Sequence, residues 1–168
     1  MLRFSILSLW VSCIPCYGED PKLETPKKPS TKVVLQYSGH IEEKGESKFV
    51  MQPEKCGTEG ESRTLEGITI RLAPKSEKIK LRYKVHLQDY GDTGWFGLGE
   101  FAGTRLQYRR LEAIWIEILG EGAKTYDIYY QAHLAGDGWT DWKTNGEMCG
   151  SRRQGKRLEA IRIFAVEK

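Results

Sequence analysis

The sequence predicts an all-β domain in which one module of about 46 residues is written three times. Three observations carry that prediction. First, each of the three histidines is followed 26 residues later by a glutamate, with a small residue and a glycine between: His40, Cys56-Gly57, Glu66; His86, Ala102-Gly103, Glu112; His133, Cys149-Gly150, Glu159. Second, each copy opens on the alternation of a strand with one buried face: Leu35, Tyr37, Gly39, Ile41; Leu81, Tyr83, Val85, Leu87; Ile128, Tyr130, Ala132, Leu134. Third, each copy closes on isoleucines at alternate positions, such as Ile114, Ile116 and Ile118, which suit a pleated sheet even though Leu-Glu-Ala-Ile has helical propensity. A module this size cannot bury its own apolar face, so the copies are expected to share one core in a pseudo-threefold closed arrangement. Long opening and closing strands favour a β-prism, with a β-trefoil as the alternative.

In chain order, residues 1–18 read as an export signal. Arg3 gives a positive start, an apolar stretch runs from Phe4 to Ile14, and small residues precede Glu19. A secreted protein is expected, with a lipid anchor on Cys13 as the alternative. Pro15 interrupts an apolar run already too short to span a membrane. Residues 19–32 hold three prolines and little that is apolar, the composition of a disordered tether. Residues 33–168 then form a single β domain of three repeats, 33–74, 79–120 and 126–168. The charge balance, 26 basic against 23 acidic residues, gives no sign of a nucleic-acid partner.

Past the leader only Cys56 and Cys149 remain, at equivalent positions of copies one and three. In an exported protein such a pair points to a disulfide, provided that the two positions approach near a common axis. Two buried free thiols are the alternative.

The pattern Tyr130-Gln131-Ala132-His133, Gly138-Trp139-Thr140-Asp141-Trp142, Asn145-Gly146-Glu147, Gly150 and Arg157-Leu158-Glu159-Ala160-Ile161 closely resembles the clostridial hydrophobic-W (ChW) repeat. Copy two matches through Tyr83, His86, Gly91, Trp95, Gly99-Glu100 and Arg110 to Ile114; copy one is degenerate, with Phe49 for the tryptophan and Pro53 for the glycine. The resemblance implies an extracellular or surface-attached, non-catalytic module that binds carbohydrate or protein. No catalytic residues are carried over.

Within each copy, His40 and Glu66, His86 and Glu112, and His133 and Glu159 are read as structural partners tying the opening strand to the closing one. Three like pairs are poor material for an active site, which needs unlike groups with separated pKa values. Phe49, Trp95 and Trp142, aromatic in every copy, are read as core. Tyr90, Tyr108, Trp115 and Trp139 have mostly polar counterparts in the other copies, so they are expected to face water and to be the ligand-binding candidates. The expected partner is a glycan or a cell-surface protein, with no enzyme activity, cofactor or metal, and the domain is expected to be a monomer. A structural or protein-interaction role in an extracellular assembly is the competing function.

Overall fold

Alternation along the chain becomes three antiparallel sheets in the computed structural model, which describes residues 25–75 and 79–168. The leader, 1–18, lies outside the described residues. Copy one supplies β1 (Leu35–Ile41), β2 (Gly45–Glu46), β3 (Val50–Met51), β4 (Cys56–Gly57) and β5 (Leu65–Leu72). Copy two supplies β6 (Lys80–Leu87), β7 (Gly91–Asp92), β8 (Phe96–Gly97), β9 (Phe101–Gly103) and β10 (Leu111–Leu119). One turn of helix, α1 (Gly122–Thr125), leads into copy three: β11 (Tyr126–Leu134), β12 (Gly138–Trp139), β13 (Lys143–Thr144), β14 (Cys149–Gly150) and β15 (Leu158–Glu167). The Leu-Glu-Ala-Ile stretches open β10 and β15 as strand. Local helical propensity yields there to cross-strand pairing and burial of the isoleucines.

In every copy the opening strand pairs with the closing one, and two two-residue strands from the loop between them add to its other edge. The remaining short strand goes elsewhere. β9 of copy two pairs with β5 of copy one, β14 of copy three with β10 of copy two, and β4 of copy one with β15 of copy three. These loaned strands carry a glycine for a steric reason. Gly57, Gly103 and Gly150 have φ of 112°, 134° and 113°, and a Cβ at any of them would stand 2.3 Å from a backbone carbonyl of the neighbouring copy.

The tyrosine three residues before each histidine ties the copies together a second time. Tyr37, Tyr83 and Tyr130 have no exposed surface. Their hydroxyls donate to the carbonyls of Glu54, Glu100 and Glu147 of their own copy. Each also accepts from a strand of the adjacent copy: Tyr83 from the N–H of Ile70 at 3.1 Å, Tyr37 from that of Ile163 at 3.1 Å, and Tyr130 from Ile116. Removing such a ring from water is worth on the order of 4 kcal/mol. Around the three rings pack Leu35, Ile68, Ile70, Val85, Ile114, Ile116, Ile128, Ile161 and Ile163, all buried.

The expected disulfide is replaced by two free, buried thiols. Each Cys-Gly pair is loaned to a neighbour, so Cys56 sits opposite Ile161 and Cys149 opposite Ile114, in different sheets. Each sulfur stays beside a hydroxyl of its own copy, Ser47 Oγ at 3.6 Å and Thr140 Oγ1 at 3.4 Å. Desolvation pushes both thiols up to about 11. The end of the stretch read as tether is also anchored: Ser30 N donates to Ala165 O at 2.7 Å, and Lys32 pairs with Glu167. Among the described residues no helix is long and apolar enough to cross a membrane.

Candidate functional site

The histidine and glutamate of each copy meet across the opening and closing strands, but not identically. His40 Nδ1 lies 2.9 Å from Glu66 Oε2, and His133 Nδ1 lies 3.2 Å from Glu159 Oε2. In copy two the ring turns to Asp92, 2.6 Å from Nδ1, and its Nε2 is 3.8 Å from Glu112. The position of Asp92 explains the difference. It faces the histidine across the hairpin, as Glu46 and Trp139 do in the other copies. Glu46 instead pairs with Arg105 of copy two at 2.6 Å, and Trp139 packs edge-on against His133, with ring centroids 5.4 Å apart. Asp92 is also bridged by Arg152 of copy three. Burial opposes its charge, but the His86 hydrogen bond and the Arg152 and Lys84 cations hold its carboxyl below the ordinary value.

The three aromatics expected in the core lie on the opposite side of the sheets. Phe49 and Trp95 are 36% and 41% exposed, on the outer faces of the sheets, and Trp142 is half-buried there. Arg71 lies 3.6 Å over the Phe49 ring, Arg82 4.3 Å over Trp95, and Trp142 meets the edge of Phe164 at 4.9 Å. All three therefore cover the same cross-strand pair of the outer face, Gln36 with Arg71, Arg82 with Glu117, and Tyr129 with Phe164. Trp115 and Trp139 do face outward, yet they are only 8% and 7% exposed. Lys84 and Arg152 close over Trp115, at 4.7 and 4.6 Å, and Arg162 over Trp139 at 4.3 Å. Long cationic side chains lay their alkyl stems on the ring and keep their charge in water. The two tryptophans are thus not available as expected.

Tyr90 and Tyr108 are available, at 67% and 69% exposed, with Leu106 at 80%. Tyr90 stands on the turn between β6 and β7, which Gln88 N holds by donating to Arg110 O at 3.0 Å. In copies one and three the position of Tyr90 is charged and tied to the later loop, by Lys44–Glu61 and by Asp137–Lys156, each 2.5 Å. Copy two has no such tie, because its loop reads Arg105-Leu106-Gln107-Tyr108-Arg109. Beside Tyr90 opens a cleft of ≈ 490 Å³ at the seam of copies two and three, lined by His86, Gln88, Asp89, Arg110, Glu112, Arg153 and Gly155. Arg110 is held there by Glu112, with Nη2 2.8 Å from Oε1. The sequence singled out Tyr90 and Tyr108, but it missed the cleft, which forms from residues that are distant in the chain. Among the described residues no cluster of histidine, cysteine, aspartate or glutamate is arranged to hold a metal ion.

Three equivalent β modules that exchange strands define a repeat protein whose outer side chains differ from copy to copy. Residues 86–120 and 133–164 match the family described as Clostridial hydrophobic W, one matched segment in copy two and one in copy three. The matched segments begin on His86 and His133. Copy one lies outside the match, yet it repeats the same strand order, buried tyrosine and His–Glu contact. No curated protein and no solved structure matches the chain.

Proposed function

We propose that this is a secreted or cell-surface, non-catalytic binding module for carbohydrate, with copy two as its contact surface. The observation that carries the reading is the pair of exposed tyrosines, Tyr90 and Tyr108, where the other copies have polar residues or glycine. A flat aromatic face beside polar hydrogen-bonding groups suits a sugar ring, which is apolar on its faces and hydroxylated at its rim. The His–Glu pairs serve as struts, since Glu66, Glu112 and Glu159 are all buried. The cyclic order of strand loans, copy two to one, three to two and one to three, supports a pseudo-threefold, prism-like closure around the three tyrosine rings. The leader pattern supports export.

A glycan array probed with the purified protein and with Tyr90→Ala and Tyr108→Ala tests this. Specific binding that weakens in either variant, with folding intact, supports the reading. A silent array removes it. The second reading, a protein-interaction domain, is favoured by Leu106, a large apolar side chain left in water on the same loop. Under that reading Leu106→Ser rather than Tyr90→Ala abolishes capture of a protein partner.

A further inference from the structure

The cleft beside Tyr90 is bordered by a glycine, Gly155. The loop before each closing strand places two residues at positive φ: Gly60 and Ser62 in copy one, Leu106 and Tyr108 in copy two, Arg153 and Gly155 in copy three. These loops reach the preceding copy, as the Arg105–Glu46 and Arg152–Asp92 bridges show. In copy three the second of the two positions borders the cleft. Copy two sets Tyr108 there and copy one Ser62, whereas copy three has Gly155, and a Cβ at Gly155 would stand 3.8 Å from Arg110 Nη2. A side chain at that position points at the guanidinium and into the cleft.

The charges lining the opening decide its chemistry. Arg110, Arg152 and Arg153 are matched by Glu112, Asp92 and Asp89 among the residues that line it and its continuation towards Arg152. A cleft with balanced charge and both donors and acceptors does not select a strong anion or cation. It suits a neutral ligand rich in hydroxyls, each of which can both give and accept a hydrogen bond.

We infer that the seam of copies two and three is a subsite for a single neutral sugar unit, which rests its apolar face on Tyr90 and directs its hydroxyls to Gln88, Asp89, Arg110 and Arg153. This rests on the carbohydrate reading above. It adds the place, the number of units held and the absence of a charge requirement. At the equivalent position of copy two stands Tyr108, which is 69% exposed.

The test compares two substitutions already tolerated by the same backbone. Gly155→Tyr copies Tyr108 and sets a large ring beside Arg110 at the rim of the cleft; Gly155→Ser copies Ser62 and adds only a small side chain there. Circular dichroism and the amide spectrum report the fold of each. The unmodified protein is titrated with neutral methyl glycosides of glucose, galactose, mannose and N-acetylglucosamine, and with methyl glucuronide, while amide shifts are followed. The expected result is a saturable shift confined to residues 88–91, 110 and 153–155 with at least one neutral glycoside. Affinity should fall by at least about tenfold in Gly155→Tyr and in Tyr90→Ala, and by less than about threefold in Gly155→Ser. Array binding that persists in Gly155→Tyr, shifts that map to residues 105–109 or to another seam, or a strict need for the glucuronide carboxylate would each overturn the subsite while leaving the carbohydrate reading. No binding on the array or in any titration would overturn both.

Discussion

Replacing Tyr83 by phenylalanine keeps the buried ring and removes only the hydroxyl that joins copies one and two. Two bonds are lost. The carbonyl of Glu100 belongs to an exposed residue and can turn to water, so its loss costs little. The N–H of Ile70, whose residue has no exposed surface, has the hydroxyl as its partner at 3.1 Å. A buried donor stranded in this way costs about 1–3 kcal/mol, so Tyr83→Phe should destabilise by about 2 kcal/mol. That is a large share of an ordinary folding free energy of roughly 5–15 kcal/mol. In urea, with a slope of about 1–3 kcal/mol per molar, the midpoint should fall by about 1 M at unchanged slope. Tyr90→Phe, on the surface, is the control and should not move it. Tyr37→Phe and Tyr130→Phe should match Tyr83→Phe, because their hydroxyls make equivalent bonds to the next copy. A change under about 0.5 kcal/mol in all three would mean that these hydroxyls do not hold the copies together.

Gly150→Ala should cost about 3 kcal/mol or more by forcing a Cβ against the Glu112 carbonyl at a φ of 113°, which a thermal melt would register as a drop of several degrees. Peptide mapping after alkylation without reductant should find both Cys56 and Cys149 labelled in denatured protein and neither in folded protein; a recovered Cys56–Cys149 crosslink would contradict the free thiols. Alkali should unfold the domain. Burial raises the two thiols from 9.0 to about 11 and Tyr83 from 10.0 to about 12, so the neutral forms stabilise the fold fully below pH 9. That stability drains as pH climbs from about 9 to 12, and urea midpoints should fall across this window but not between pH 7 and 8. Trp115→Ala should destabilise the fold by about 2 kcal/mol or more, read from urea unfolding, as expected for a ring closed in by Lys84 and Arg152; a neutral result would return it to the surface.

Much of the fold was legible because the triplication compares the chain with itself. The constant tyrosine, the alternation around it and the isoleucines after each glutamate marked the inner faces, and Tyr37, Tyr83 and Tyr130 are fully buried. Phe49, Trp95 and Trp142 misled because constancy was equated with burial. They are constant because each covers a cross-strand pair on the outside, and their loops join strands of only two residues, too short to show which way a side chain points. Trp115 and Trp139 misled in the opposite sense. Their polar counterparts placed them on the outer face correctly, but the arginines and lysine that cover them come from other strands or another copy. The disulfide failed for a related reason: equivalence in sequence does not mean proximity when each copy loans its strand to a different neighbour.

Two of the strand loans run backwards along the chain and one runs forwards. β9 and β14 find their hosts, β5 and β10, already made when they emerge from the ribosome, but β4 must wait for β15 of copy three. Until β15 is made, Cys56-Gly57 has nowhere to dock, and the nascent molecule displays an open ladder that a second unfinished chain could fill. A truncation just before Leu158 would make that interim condition permanent, and its fate in the cell would be assembly with its own kind or clearance by proteases.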